Sequence, residues 1–125
     1  MTRELKEMAK GWIEMWRYDV NAPERDKYRW VSDFRFGVVQ RDPEKAIDFI
    51  LAILDEGLNM EQKSILAAGP LEEVLAWHSA KVIEKVETLA RQHPEFANLL
   101  GGVWQNDMSD EVWRRVQKLQ DHSGW

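Results

Sequence analysis

The side chains best suited to acid–base chemistry lie in one stretch, ILAAGPLEEVLAWH, at residues 65–78. His78 falls on the apolar side of a predicted helix, where an imidazole could act as a general acid or base, or as a polar anchor in a groove. Its best candidate companions are Glu72, Glu73 and Trp77. Six residues rotate an α-helix by about 240°, so Glu72 and His78 do not share a face. We therefore favour a buried structural histidine with one hydrogen-bond partner over a simple Glu–His dyad.

Other patterns that carry catalysis or bind cofactors do not occur in the sequence. There is no HExxH, no pair of histidines at helical neighbour spacing, and no aspartate-rich calcium loop. The pair Gly101-Gly102 lacks the spacing of a phosphate-binding loop, and no G-x-S-x-G marks a nucleophile elbow. The chain has no cysteine, which excludes disulfides, thiolate zinc sites and cysteine nucleophiles. We predict no catalytic residue, no metal site and no cofactor.

The net charge of −5 arises from 17 basic and 22 acidic residues, and it is unevenly distributed. Residues 42–61 contain six acidic residues and a single basic one, Lys45, so this segment alone carries −5. Because affinity for nucleic acid comes largely from neutralised phosphates, this balance argues against a nucleic-acid partner. An acidic helix face could instead attract a protein with a basic surface, and Asp48, Asp55 and Glu56 are the predicted contacts. The alternative is that these carboxylates form a solvated helix surface.

Seven tryptophans are many for a chain of 125 residues. So many large rings crowd one small core, and we expect one or two of them to be partly exposed. Trp12 and Trp16 are one helical turn apart and are expected in the core. Trp104 follows the double glycine in a predicted loop, where a core position and a contact surface are equally open. An exposed tryptophan there would be a natural anchor for a binding partner.

Helical periodicity dominates the chain, and short links between helices predict antiparallel neighbours. The predicted fold is all-α: a compact bundle of six or seven short antiparallel helices, similar to helical-hairpin repeats, in a single domain over residues 1–125. No apolar run approaches the roughly 18 residues that span a bilayer. The charged N-terminal segment lacks the apolar region of a signal peptide, so we expect a cytoplasmic protein with no membrane partner.

Local signals predict where the helices begin and end. One helix is expected from Pro23 to about Phe36, and the strand-like run FGVVQ that follows carries little weight as a strand. Gly69 and Pro70 predict a corner, where glycine closes one helix and proline opens the next. Residues 120–125 are predicted to be a frayed tail. Further caps and ends are predicted at Thr2, Asp42 with Pro43, Gly57, Asn59 with Gln62, and Ser109.

The stretch LAAGPLEEVLAWH, followed by VIEKVETLARQHPEFANLLGGVWQNDMSDEVWRRVQ, resembles a family of small, Trp-rich, all-helical bacterial proteins of unknown function. The shared features are a Trp-rich first helix, a DPEKA-like helix start, an AAGPLE segment followed by a histidine, a P-x-F helix, and GGVW with a later Val-Trp pair. The match extends from about Trp12 to Val116. The resemblance implies a bacterial, standalone helical domain and suggests that Glu72, His78 and Trp104 matter together. The resemblance implies no particular activity.

Two hypotheses for the function follow. The first is a non-catalytic protein–protein interaction domain, and its concrete form is an immunity-type protein that neutralises a bacterial toxin. The acidic segment would then face a basic partner, and an exposed tryptophan would anchor the contact. The second is a small enzyme or a small-ligand-binding domain with a pocket near Glu72, His78 and Trp104. We favour the first hypothesis because the sequence contains no catalytic motif.

Overall fold

The computed structural model describes residues 3–125, and every regular element in that part of the chain is helical. The seven α-helices are α1 (Arg3–Met15), α2 (Arg29–Arg41), α3 (Pro43–Leu54), α4 (Met60–Leu66), α5 (Glu72–Gln92), α6 (Pro94–Leu100) and α7 (Asp110–Gln117). A 3₁₀ turn over Pro23–Tyr28 precedes α2, and a π-helical turn over Ala67–Leu71 joins α4 to α5. The predicted all-α fold is confirmed.

Capping contacts explain why α3 and α4 begin where the sequence predicts. The Asp42 carboxylate accepts the backbone N–H of Lys45 at 3.2 Å, and Pro43 is the first residue of α3. In the capping box of α4, Asn59 Oδ1 accepts the N–H of Gln62 at 2.8 Å. Gln62 Oε1 accepts the N–H of Asn59 in return, at 2.9 Å. Each contact satisfies a backbone donor that the first helical turn would otherwise leave free.

Two further predicted boundaries are confirmed by local geometry. Ser109 Oγ accepts the backbone N–H of Val112 at 3.2 Å, and α7 starts at the next residue. Gly57 has a φ of +79°, the left-handed conformation that favours glycine, and it follows the end of α3. The cap predicted at Thr2 lies outside the described residues.

The segment after Pro23 differs from the single helix that the sequence predicts. It begins as a 3₁₀ turn, and α2 then continues to Arg41, well past Phe36. The strand-like run FGVVQ is therefore helical. Its two adjacent valines, Val38 and Val39, are buried in α2. Packing against the core has overridden their preference for strands.

The predicted corner at Gly69-Pro70 is wrong. The chain remains helical through the π turn, and the positive-φ glycines of the described chain do not include Gly69. Pro70 lacks a backbone N–H and its ring would clash with a carbonyl in a regular α-helical turn. The wider π turn accommodates the proline without ending the helix.

The core is built around α3, which packs against α1, α2 and α5 and also touches α6 and the π turn. Eight of its twelve residues are buried. A helix that is apolar on nearly every side must be covered on nearly every side, which is why it occupies the centre. Trp12 and Trp16 both pack with this core, and Trp12 is fully buried. The centroids of the two tryptophan rings are 6.1 Å apart.

The C-terminal residues 120–125 are docked on α6, in contrast to the predicted frayed tail. Asn98 Nδ2 donates to the carbonyl oxygens of Asp121 and Ser123. The Trp125 indole Nε1–H donates to the Asn98 carbonyl at 2.7 Å, and the Asp121 N–H donates to the Ala97 carbonyl at 3.0 Å. These hydrogen bonds hold the tail against α6 at Ala97 and Asn98.

The double glycine Gly101-Gly102 is the surface on which this tail lies. A Cβ atom at Gly101 would overlap the carbonyl oxygen of Asp121. A Cβ atom at Gly102 would overlap the ring of Trp125. The two glycines therefore allow a close approach of backbone and ring that any side chain would block.

Candidate functional site

Two consecutive glutamates begin α5, and the first of them holds a loop. Glu72 is buried, with 8% of its surface exposed. Its Oε1 accepts the backbone N–H of Trp104 at 2.9 Å, and its Oε2 accepts Nδ2–H of Asn106 at 2.9 Å. Within residues 3–125 it forms no ion pair. A buried carboxylate needs such donors because an unsatisfied charge in the interior is costly.

The loop that Glu72 holds presents an exposed tryptophan. Trp104 has 75% of its surface exposed, more than any other large hydrophobic residue of the described chain. Its backbone is fixed by Glu72, and Asn106 stabilises the same loop in a left-handed conformation with a φ of +47°. The loop therefore combines a fixed backbone with a ring that faces solvent.

A groove of about 350 Å³ lies beside this ring, with Trp104, Trp113 and Trp125 in its walls. The segment that carries Trp104 is also acidic: residues 103–113 contain three acidic residues and no lysine or arginine. These three, Asp107, Asp110 and Glu111, are all exposed. We call this set of three tryptophans and three carboxylates the Trp104 surface.

The second glutamate, Glu73, pairs with an arginine on α2. Arg35 is buried, and its Nη1 donates to Glu73 Oε1 at 3.0 Å while its Nη2 pairs with Glu73 Oε2. The guanidinium carbon lies 4.3 Å from the centre of the Phe36 ring. A Cβ atom at Gly69 would lie 3.1 Å from Arg35 Nη2, so the glycine of the π turn gives the guanidinium its room. This fork-to-fork pair links α2 to the start of α5.

Arg35 is part of the wall of a small cavity, of about 110 Å³, next to the π turn. Segments from α1 to the π turn contribute to its lining: Trp12, Met15, Trp16, Arg25, Ser32, Arg35, Phe36, Ile65, Gly69 and Pro70. We call it the arginine cavity. Its walls combine aromatic and aliphatic side chains with two guanidinium groups and one hydroxyl.

His78 marks a kink in α5 and takes no part in either glutamate contact. Its φ of −134° and ψ of 27° depart from helical values, and the helix continues on both sides. The side chain is half-buried, and its Nε2 is buried without a hydrogen-bond partner in the described chain. The hydrogen bond expected for a structural histidine is thus not seen at this nitrogen.

The acidic residues predicted on segment 42–61 lie elsewhere. Asp48 accepts from Lys85 Nζ at 3.0 Å, so its charge is balanced within the chain. Asp55 and Glu56 are exposed after the end of α3, and Asp55 lines a second groove with His93. No hydrogen bond or ion pair of the described residues connects these carboxylates to the loop of Trp104. Of the six predicted binding residues, the structure joins two directly, Glu72 and Trp104.

Sequence reasoning missed the arginines of the cavity, although one signal was present. Arg35 lies at helical spacing between Val31 and the buried Val38 and Val39, so it occupies a core-facing position of α2. A charged residue on such a face requires a partner or a site. Arg25 gave no comparable signal, because it lies in an irregular segment with no apolar periodicity.

The described residues contain neither a metal-binding cluster nor a helix that could span a membrane. Residues 3–125 contain no group of three or more His, Asp or Glu side chains placed to hold a metal ion. No helix formed by these residues is both long enough and apolar enough to cross a membrane.

Residues 19–124 match the sequence profile of a family of unknown function, DUF6869. The chain belongs to this family. Glu72, Glu73, Arg25, Arg35 and the loop of Trp104 all lie within the matched range, whereas α1 lies before it. No curated protein and no solved structure matches the chain.

Proposed function

We propose that this protein is a non-catalytic module that binds a basic protein partner through the Trp104 surface. The observation that carries the proposal is the hold of a buried carboxylate, Glu72, on a loop whose tryptophan is 75% exposed. Tryptophan is among the residues most enriched in binding hot spots. A loop that is already ordered loses less conformational entropy when a partner binds, and the affinity of the contact rises accordingly.

The charge around the ring indicates the kind of partner. Asp107, Asp110 and Glu111 are exposed on the same segment, and the whole chain carries a net charge of −5. The next basic residues along the chain are Arg114 and Arg115 on α7, and Arg115 is paired with Glu87. Complementary charge mainly accelerates encounter and selects the partner, whereas the desolvated ring supplies affinity. A basic toxin, as in the immunity-type hypothesis, is one form that such a partner takes.

The test is affinity purification of the tagged protein from its source organism, with the intact chain and two variants. We expect one stoichiometric partner with a basic surface, retained by Trp77→Ala and lost by Trp104→Ala. Trp77 is the matched control, because it is a half-exposed tryptophan on α5 outside the Trp104 surface. With the purified partner, calorimetry should show at least a roughly 30-fold weaker Kd for Trp104→Ala, as for a hot-spot residue.

Charge reversals locate the contact more finely. Asp107→Lys should slow association and reduce its dependence on salt, because it replaces an attractive charge on the loop of Trp104 with a repulsive one. Asp55→Lys changes the charge of the chain equally but lies after α3, and it should have a much smaller effect. A larger effect of Asp55→Lys than of Trp104→Ala would move the contact to the acidic segment 42–61. Full retention of the partner by Trp104→Ala would overturn the proposal.

A further inference from the structure

We propose that the arginine cavity binds a short-chain carboxylate. This cavity is a site separate from the Trp104 surface. The carboxylate group would pair with the Arg25 guanidinium and accept from the Ser32 hydroxyl. The hydrocarbon end would lie against the apolar walls. The proposal depends on the charge, the free donors and the size of this cavity.

Arg25 supplies an uncompensated charge at the cavity. Its Nη1 donates to the carbonyl oxygens of Met15, at 3.2 Å, and Tyr18, at 3.0 Å. No carboxylate of residues 3–125 forms an ion pair with it. The guanidinium carbon lies 4.6 Å from the centre of the Trp16 ring, which holds its plane in place. The remaining N–H donors, on Nη2 and Nε, are without partners within that range and fit a planar anion.

Ser32 and Arg35 complete the polar side of the cavity. The Ser32 hydroxyl donates to Met15 Sδ at 3.2 Å, and a thioether sulfur is a weak acceptor. A carboxylate oxygen would be a much stronger acceptor for the same hydroxyl. Arg35 contributes positive charge at the wall, although Glu73 already occupies its two Nη groups. Arg25 is therefore the primary anion donor and Ser32 the second.

The size and the walls of the cavity select the ligand class. A volume of about 110 Å³ is smaller than the cavity of about 150 Å³ that holds benzene in an engineered protein core. Trp12, Met15, Ile65 and Pro70 make the rest of the lining apolar. Inorganic phosphate would leave these walls without contacts, whereas a carboxylate with a short hydrocarbon chain would satisfy both sides. We assign the cavity to carboxylates of about two to four carbons.

The half-buried Arg25 and the exposed Phe36 lie where the cavity meets the protein surface, so a small ligand can enter. The π turn contributes Gly69 and Pro70 to the lining of the cavity. Such turns are frequent at functional sites, because they displace the backbone from regular helical packing. Here the displacement coincides with the cavity.

The test is an NMR titration of the full chain with propionate, read on the indole N–H signals of its seven tryptophans. Propionamide, at equal concentration and ionic strength, is the control for size and apolarity. We expect saturable shifts of the Trp12 and Trp16 signals with propionate alone. The Trp104, Trp113 and Trp125 signals should stay fixed, because they report on a separate groove.

Two variants connect the response to the assigned donors. Arg25→Gln should weaken propionate binding at least about tenfold. The control variant is Arg29→Gln, which changes an exposed arginine and should leave binding unchanged. If Arg25→Gln fails to fold, Ser32→Ala keeps the charge and should weaken binding by about threefold. The proposal is overturned by equal shifts with propionamide or phosphate, by unchanged affinity in Arg25→Gln or Ser32→Ala, or by the absence of a saturable shift.

Discussion

Glu72 and Glu73 are neighbours in the chain, but the molecule stabilises their charges in different ways. Glu72 accepts from two neutral N–H groups of one loop, and no cation pairs with it in residues 3–125. Glu73 accepts from a guanidinium on another helix. The first arrangement fixes a backbone that presents a ring, and the second forms part of a cavity wall. Hydrogen bonds to a buried carboxylate respond weakly to salt, whereas an ion pair with partial exposure responds more strongly.

The largest effect in this comparison should come from Glu72→Ala. Removal of the carboxylate leaves the Trp104 N–H and the Asn106 amide without acceptors, at a cost of about 2–3 kcal/mol in the free energy of unfolding. Urea denaturation measures this loss, and amide hydrogen exchange should speed up at Trp104. Glu84→Ala, at an exposed glutamate of the same helix, should cost well under 1 kcal/mol. Equal stability of the two variants would show that Glu72 does not hold the loop.

Gly101→Ala tests whether the tail is a second support for the same loop. The new Cβ atom meets the backbone carbonyl of Asp121, which cannot move without release of the tail. We expect a loss of about 1–3 kcal/mol in the free energy of unfolding, as for overpacked sites. The control is Gly37→Ala in α2, where a Cβ atom meets nothing within 4 Å. That control should stabilise the protein by up to about 1 kcal/mol, because alanine favours helix over glycine.

Glu73→Gln should cost less than the breaking of a fully buried ion pair would, because the Glu73 side chain is 24% exposed and that of Arg35 is 11% exposed. We expect a loss of about 1–2 kcal/mol in the free energy of unfolding at low salt. The loss should shrink in 1 M NaCl, while the loss for Glu72→Ala should stay nearly constant. Denaturation of both variants at low and high salt measures the difference. An equal salt response at the two glutamates would remove the distinction drawn between them.

The smallest effect should come from Glu87, which pairs with Arg115 across α5 and α7. The hydrogen bond from Arg115 holds the pKa of the Glu87 carboxyl below its ordinary value. A carboxyl with a lowered pKa stabilises the fold above its unfolded pKa, and this stabilisation is lost as the pH falls through its folded pKa. Glu87→Gln should therefore be less stable than the natural protein at pH 7 and nearly equal to it at pH 2. Urea midpoints at the two pH values measure this, and a constant difference would contradict it.

The helices could be predicted because their signals are local. The spacing of apolar residues, the cap at Asp42 and the capping box at Asn59 all act within one or two helical turns. The failures share a different origin. Gly69 leaves room for Arg35 from another helix where a helix end was expected, and the docked tail depends on glycines about 20 residues earlier. Neither contact has a signature within a short window of sequence.

The candidate site was predicted only in part, because its contacts join segments that are far apart in the sequence. The family resemblance and the pocket hypothesis group Glu72 with His78 and Trp104, but the hydrogen bond between Glu72 and Trp104 spans 32 residues, which no periodicity could predict. His78 fell at the right spacing for an apolar face, but the helix kinks at that residue. The arginine cavity draws on segments from α1 to the π turn, so its assembly is a property of the tertiary fold.

The π turn also sets the rotational register of everything that follows it. Each residue of a helix turns the next side chain by about 100°, so one residue more or fewer between α4 and α5 would re-aim the whole of α5. Deletion of a single residue from Ala67–Leu71 would turn Glu72 away from its loop and Glu73 away from Arg35 together. The length of this one turn therefore keeps the cavity and the tryptophan loop in phase with each other.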